Sequence, residues 1–267
     1  RTSEIFSRVL SGVHRTSGKH LRKLAGTLKF ACLKGDHVMK AVILAAGYGS
    51  RLKVSIPKSL IRFSNGMCLL DYQLAALRSV LPLEQVFIVV GFKKELIMEA
   101  APKCSFLYND RFDRTNTAKS LALALERIDD DVLWMNGDVY AEPEVIRSVA
   151  EAPGNVILVN RSRVSNEEVG YKTDAAGYVV RLAKGIPDAQ GEALGVNKVS
   201  RQDVRALASL LADVDDSDYF ERAIEIGVER GIFSFRTIEV PGRFVKEMDF
   251  LSDFEAIQAY LSKGRQK

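Results

Sequence analysis

The sequence predicts an α/β fold: a doubly wound mixed sheet with a smaller antiparallel substrate-binding portion. Three observations predict it. Ala41-Val42-Ile43-Leu44 is a continuous apolar run ending in Gly47-Tyr48-Gly49-Ser50, the pattern of a strand buried on both faces and stopped by a glycine loop. From there to Asp138, strand-length apolar runs alternate with helical periods. After Gly154 the pattern shortens into paired extended segments around a turn.

Taken in order, Leu69–Val80 has apolar residues at helical spacing, and Val86–Val90 is a second buried strand ending at Gly91. A helix is expected over Lys93–Ala101 and a short strand over Cys104–Tyr108. A further helix is expected over Asn116–Arg127, with Asn116 or Thr117 as its cap. Asp131–Asn136 reads as a strand that stops at Gly137-Asp138, and Gly154–Asn160 as one more. Glu168–Asp174 and Tyr178–Leu182 flank Ala175-Ala176-Gly177 as a hairpin. Gly191–Ser200 is strand-like, and helices follow over Arg201–Ala212 and Ser217–Arg230. Phe233–Val240 and Arg243–Asp249 are late strands, and Leu251–Ser262 is a terminal amphipathic helix. No internal repeat or low-complexity stretch interrupts the chain, so residues 39–267 read as one domain.

The loop after the first strand carries the chemistry. Glycines give close backbone approach and N–H groups for an anion, while Arg51 and Lys58, in Pro57-Lys58, neutralise charge, as a polyphosphate requires. A P-loop is excluded because its lysine is missing, and a dinucleotide fingerprint because position 52 is Leu52 rather than glycine. Asp71 stands where a ribose-binding acid of that fold would, and without the third glycine it is discounted. The plain alternative is a βα turn with surface cations. Asp138, just past the strand Val132-Leu133-Trp134-Met135, lies at the sheet edge where Gly47 lies, and suits a Mg²⁺ ligand completed by phosphate oxygens. Asp249 is a second acid at the end of a late strand. Asp138 also reads as a turn residue and Asp249 as a helix cap.

Composition sets bounds. A chain of 267 residues, 47% hydrophobic, buries one substantial core, and its apolar runs are far short of the roughly 20 residues a membrane span needs. Cys32, Cys68 and Cys104 lie far apart, which indicates a reducing, cytoplasmic setting with thiols used as small hydrophobes. The three histidines all precede Met39, which takes zinc sites and histidine catalysis out of the domain. Net charge is +4, but residues 1–38 hold eight Lys/Arg against Glu4 and Asp36, so the arm is near +6 and the remainder near −2. The basic balance is therefore no argument for nucleic-acid binding by the domain. The arm is open to three readings: a helical appendage packing on the domain or on a second subunit of a homodimer, the end of a preceding module, or a targeting or membrane-surface segment.

Leu44-Ala45-Ala46-Gly47-Tyr48-Gly49-Ser50-Arg51-Leu52 followed by Pro57-Lys58-Ser59-Leu60 resembles the signature of the sugar-phosphate and phosphocholine nucleotidyltransferase superfamily. The resemblance covers Met39 to about Leu261 and implies the Rossmann-like nucleotide-diphospho-sugar transferase fold. Asn136-Gly137-Asp138 and Glu247-Met248-Asp249 resemble its two metal-aspartate stretches, implying Asp138 and Asp249 as Mg²⁺ ligands. Asn116-Thr117-Ala118-Lys119-Ser120-Leu121 and Gly191-Glu192-Ala193-Leu194-Gly195 are similar to the phosphocholine and phosphonate cytidylyltransferase branch.

Implied nucleotide contacts are Leu44, Ala46, Gly47, Gly49, Ser50, Arg51, Lys58, Asn116 and Ser120, with Arg51 and Lys58 catalytic. Lys184 and Glu192 are implied on the acceptor. Beside these stand plainer readings: helix capping for Asn116 and Ser120, a surface lysine for Lys184, an exposed strand residue for Glu192. The implied reaction joins CTP to a small phosphate or phosphonate, such as phosphocholine or a 2-substituted ethylphosphonate, with loss of pyrophosphate. A sugar-1-phosphate enzyme using UTP, GTP or dTTP and a catalytically silent homologue are the alternatives.

Overall fold

The first strand shows how the sheet is covered. In β1 (Lys40–Ala45), Ala41 and Ile43 enter one apolar layer while Val42 and Leu44 enter the other, and all four are buried. The computed structural model describes residues 38–49, 55–161 and 168–263. The chain divides into two units, Arg1–His37 and Val38–Lys267, and the described residues all belong to the second. The readings made for the arm fall on residues outside the described ones.

One layer is built from α1 (Leu69–Leu77), α2 (Lys94–Ala100) and α4 (Pro143–Glu151). The opposite layer is built from α3 (Thr117–Leu125), α5 (Arg201–Asp213) and α6 (Phe220–Glu229). Between them lie β2 (Val86–Val90), β3 (Ser105–Tyr108), β4 (Val132–Asn136), β6 (Val156–Asn160), β9 (Gly191–Val199) and β10 (Arg236–Ile238), with strand order β10-β6-β9-β4-β1-β2-β3. Strands β3, β2, β1 and β4 are mutually parallel neighbours, as a doubly wound sheet requires.

The antiparallel part departs from expectation in its place. Strand β9 is antiparallel to both β4 and β6 and sits in the middle of the main sheet. Eight of its nine residues are buried, because layers cover it on both faces. The hairpin of β7 (Val169–Thr173) and β8 (Val179–Lys184) hangs from β9 through Gly170–Glu192 and Tyr171–Gly191. Two elements are absent from the sequence reading: β5 (Val139–Ala141) and α4. Strand β5 is three residues long and pairs only with the equally short β11 (Val245–Glu247), too little chain for periodicity to register. Helix α6 starts at Phe220 rather than near Ser217 because Asp215–Asp218 form a turn, in which the Asp218 carboxylate accepts from the Asp215 N–H at 3.0 Å. Helix α7 (Leu251–Lys263) packs Ile257 against Phe63, Tyr140 and Met248 in a third, smaller core. Among the described residues, no helix is long and apolar enough to cross a membrane.

Candidate active site

Strands β1 and β4 lie side by side with Leu44 opposite Asn136, so the loops that follow them leave the sheet at the same edge. Two glycines bring those loops together. Gly137 donates its N–H to the Leu44 carbonyl at 2.9 Å, and a Cβ there would stand 2.7 Å from that oxygen. At Gly49 the backbone has φ +62° and a Cβ would press on Lys58 at 3.1 Å. Gly47 carries no such demand, since nothing stands within 4 Å of its Cβ position.

Lys58 opens a short 3₁₀ turn (Lys58–Leu60). Its Nζ donates to Asp138 Oδ2 at 2.9 Å and to Asp249 Oδ1 at 2.7 Å, with the three side chains 11%, 28% and 27% exposed. Burial disfavours the ammonium, but the two carboxylates outweigh it and hold its pKa above the ordinary lysine value. The two acids, distant in sequence, are joined by the β5–β11 ladder, in which Val139 pairs with Glu247, and by the Met248 N–H donating to the Asp138 carbonyl at 2.9 Å. At the start of α7 the Asp253 carboxylate accepts from the N–H groups of Asp249 (3.0 Å) and Phe250 (2.8 Å), and Lys246 pairs with it at 2.9 Å. Burial, then Asp138 and Asp249, push the Glu247 carboxyl well above its usual range.

These groups line one end of a cavity of about 810 Å³, bounded also by Glu168, Lys184, Glu192, Tyr219 and Glu221. Its described lining holds seven carboxylates against three lysines, so a triphosphate entering it needs further positive charge. Asp138 Oδ1 is buried and has no hydrogen-bond partner among the described residues. No set of three His, Cys, Asp or Glu side chains among them converges to cage a metal. A pair of hard oxygen donors with a free buried oxygen fits Mg²⁺, which takes one or two carboxylates and completes its shell with phosphate and water.

Of the residues singled out in sequence, Leu44, Gly47, Gly49, Lys58, Asn116, Asp138, Lys184, Glu192 and Asp249 all line this cavity. Asn116 also caps α3, its Oδ1 accepting from the Thr117 N–H at 2.9 Å, as the plainer reading had it. Glu192 accepts from Asn160 Nδ2 at 3.1 Å, and burial raises its pKa. Lys184 ends β8 with its Nζ 4.4 Å from the Tyr219 ring centroid.

Two expected nucleotide contacts are not brought to the cavity. Ser120 is buried, its hydroxyl accepting from Asn109 Nδ2 at 3.1 Å, because it faces the sheet one turn into α3. Ala46 is buried, its carbonyl accepting from the Phe92 N–H at 3.0 Å. Ser50 and Arg51 lie outside the described residues. Asp71, discounted in sequence, accepts from the Cys68 N–H at 2.8 Å at the start of α1.

The site also holds groups the sequence reading passed over. Glu221 is 7% exposed, its Oε2 buried without a partner among the described residues, and burial raises its pKa to about 7. The signal was there: Glu221 and Glu225 fall inside the buried face of α6, with Phe220, Ile224 and Gly227. Tyr219, Lys246 and Asp253 carried no such mark.

The family described as the MobA-like NTP transferase domain matches residues 41–216. The chain belongs to this family. The chain is 27% identical, over 79% of its length and 37% of the relative, to CMP-5′-(3-aminopropyl)phosphonate synthase of Streptomyces rubellomurinus. It is 24% identical, over 81% of this chain and 98% of the relative, to CTP:phosphoglutamine cytidylyltransferase of Campylobacter jejuni. The chain thus spans little over a third of the first relative's length and nearly all of the second's. The structure of CTP:phosphocholine cytidylyltransferase from Streptococcus pneumoniae superposes with a TM-score of 0.67 at 19% identity, covering 84% of this chain and 99% of that one. That likeness concerns the fold, and it agrees with the doubly wound sheet.

Proposed function

We propose that the domain is a Mg²⁺-dependent cytidylyltransferase joining CTP to a small phosphate or phosphonate acceptor with release of pyrophosphate. The observation that carries this reading is Lys58 held between Asp138 and Asp249 beneath the Gly49 loop. The acceptor oxygen attacks the α-phosphorus in line, a new P–O bond forms, and the α–β bond breaks with its electron pair leaving on pyrophosphate. Because the acceptor oxygen is already anionic, no general base is required, and positioning and charge neutralisation do the catalytic work. Lys58 neutralises the α-phosphate and guides the incoming oxygen, while backbone N–H groups of Gly47, Gly49 and Ser50, with Arg51, hold the oxygens that depart. Mg²⁺ held by Asp138 and Asp249 supplies charge neutralisation at the α-phosphate when bound.

Two observations support the choice of substrates. Both relatives above are named for cytidylyl products or CTP. The cavity lining offers the buried carboxylate of Glu221, without a hydrogen-bond partner among the described residues, which suits an acceptor bearing an ammonium group.

The test measures pyrophosphate release from CTP, UTP, GTP, dTTP and ATP, each against phosphocholine, 2-aminoethylphosphonate and hexose 1-phosphates. Release with CTP and a cationic acceptor is expected. Turnover only with a hexose 1-phosphate sinks the reading, and no release with any pair favours a catalytically silent homologue.

A further inference from the structure

Gln73 is 1% exposed on α1, the helix whose buried side chains join an apolar core layer. A buried primary amide needs a reason, since each unpaired polar atom it brings is costly to desolvate, and its Oε1 has no hydrogen-bond partner among the described residues. The reason lies on its nitrogen. Nε2 donates to the Asn136 carbonyl and to the Val139 carbonyl, each at 2.9 Å. Those two carbonyls bracket Gly137-Asp138, so a single side chain spans the turn between β4 and β5 from beneath. The same turn is held from β1 through the Gly137 N–H to Leu44, and from β11 through the Met248 N–H to Asp138. Of these three attachments, the one from α1 alone is made by a side chain, and it alone grips both ends of the turn.

We infer that Gln73 is a positioning residue, clamping the Asn136–Val139 turn so that the Asp138 carboxylate is presented to a divalent cation. The inference rests on the reading of Asp138 as a metal ligand. A partner that orients a ligand in this way is worth about 10–100-fold in metal affinity. Loss of the clamp removes the attachment that joins both ends of the turn, and a displaced carboxylate no longer meets the cation jointly with Asp249.

The probe is Mn²⁺, titrated by EPR into the protein without nucleotide and again with CTP but no acceptor. Three variants are compared: Gln73→Met, which keeps the shape and removes both donors, Gln73→Glu, which is left with at most one donor, and Ala76→Gly, which loosens α1 without touching the turn. Mn²⁺ affinity is expected to fall about 10–100-fold in Gln73→Met and less in Gln73→Glu. Ala76→Gly should lower the thermal midpoint while keeping wild-type affinity. Wild-type Mn²⁺ binding by Gln73→Met, or equal weakening in Ala76→Gly, overturns the inference. Should Gln73→Met fail to fold, unchanged affinity in Gln73→Glu overturns it. Asp138→Asn, run alongside, separates the two readings. Binding that survives Asp138→Asn defeats the metal assignment itself, whereas binding lost there but kept in Gln73→Met defeats only the clamp.

Discussion

Glu221 links the stability of the fold to the proposed acceptor site. Burial raises its pKa from 4.5 to about 7, so between those values the folded state holds a proton that the unfolded chain has released. Its contribution is therefore fully present below pH 4.5 and lost as pH rises through about 7, a change of about 3 kcal/mol. Unfolding measured by denaturant across that range should show the decline in the wild type and lack that component in Glu221→Gln. An ammonium-bearing acceptor needs the ionised form, so its KM should fall as pH rises through 7, and Glu221→Gln should show a higher KM that lacks this component. Matching pH profiles in the two proteins would refute the acceptor role.

At the scale of elements, the site is assembled by short pieces whose geometry leaves little tolerance. The β4–β5 turn lies against β1 because Gly137 has no side chain, and an added Cβ would meet the Leu44 carbonyl at 2.7 Å and Ala45 Cα at 3.0 Å. Gly137→Ala is thus expected to push Asp138 away from Lys58 and cut kcat by about 10²-fold, the cost of misplacing a catalytic group by about 1 Å. Steady-state kinetics with intact folding by circular dichroism checks it, and a wild-type kcat would show that the turn has slack. Asn116→Ala removes the α3 cap. A loss of about 1 kcal/mol is expected, read as a fall of roughly 2–4 °C in thermal midpoint. An unchanged KM for CTP would leave Asn116 as a cap alone, while a raised KM adds a nucleotide contact.

For the whole molecule, the excess of carboxylates in the cavity's described lining leads us to expect nucleotide binding that depends on a cation. CTP with Mg²⁺ should therefore raise the thermal midpoint where CTP alone does not. At a ligand concentration 100 times Kd the stabilisation is about 2.7 kcal/mol, or roughly 5–10 °C for a domain of this size. UTP, GTP and dTTP at equal concentration should give smaller shifts. An equal shift with and without Mg²⁺ would contradict the charge argument.

Read alone, the sequence determined the sheet class and singled out the glycine loop, Lys58 and the two acids that the structure brings together. Those features are local or strongly patterned: β1 is a continuous apolar run, and Gly49, Lys58, Asp138 and Asp249 each sit in short, distinctive strings. Ser120 was misplaced because a helix cap and a buried hydroxyl one turn later look alike in one dimension. Only the tertiary structure decided that β9 runs antiparallel through the centre of the sheet and that β5 and β11 tie Asp138 to Asp249. Likewise it alone showed Gln73 beneath the turn and Glu221 facing the cavity. Strand direction, three-residue pairings and the partner of a buried amide depend on contacts between segments far apart in the chain, and no local pattern encodes which segments will meet.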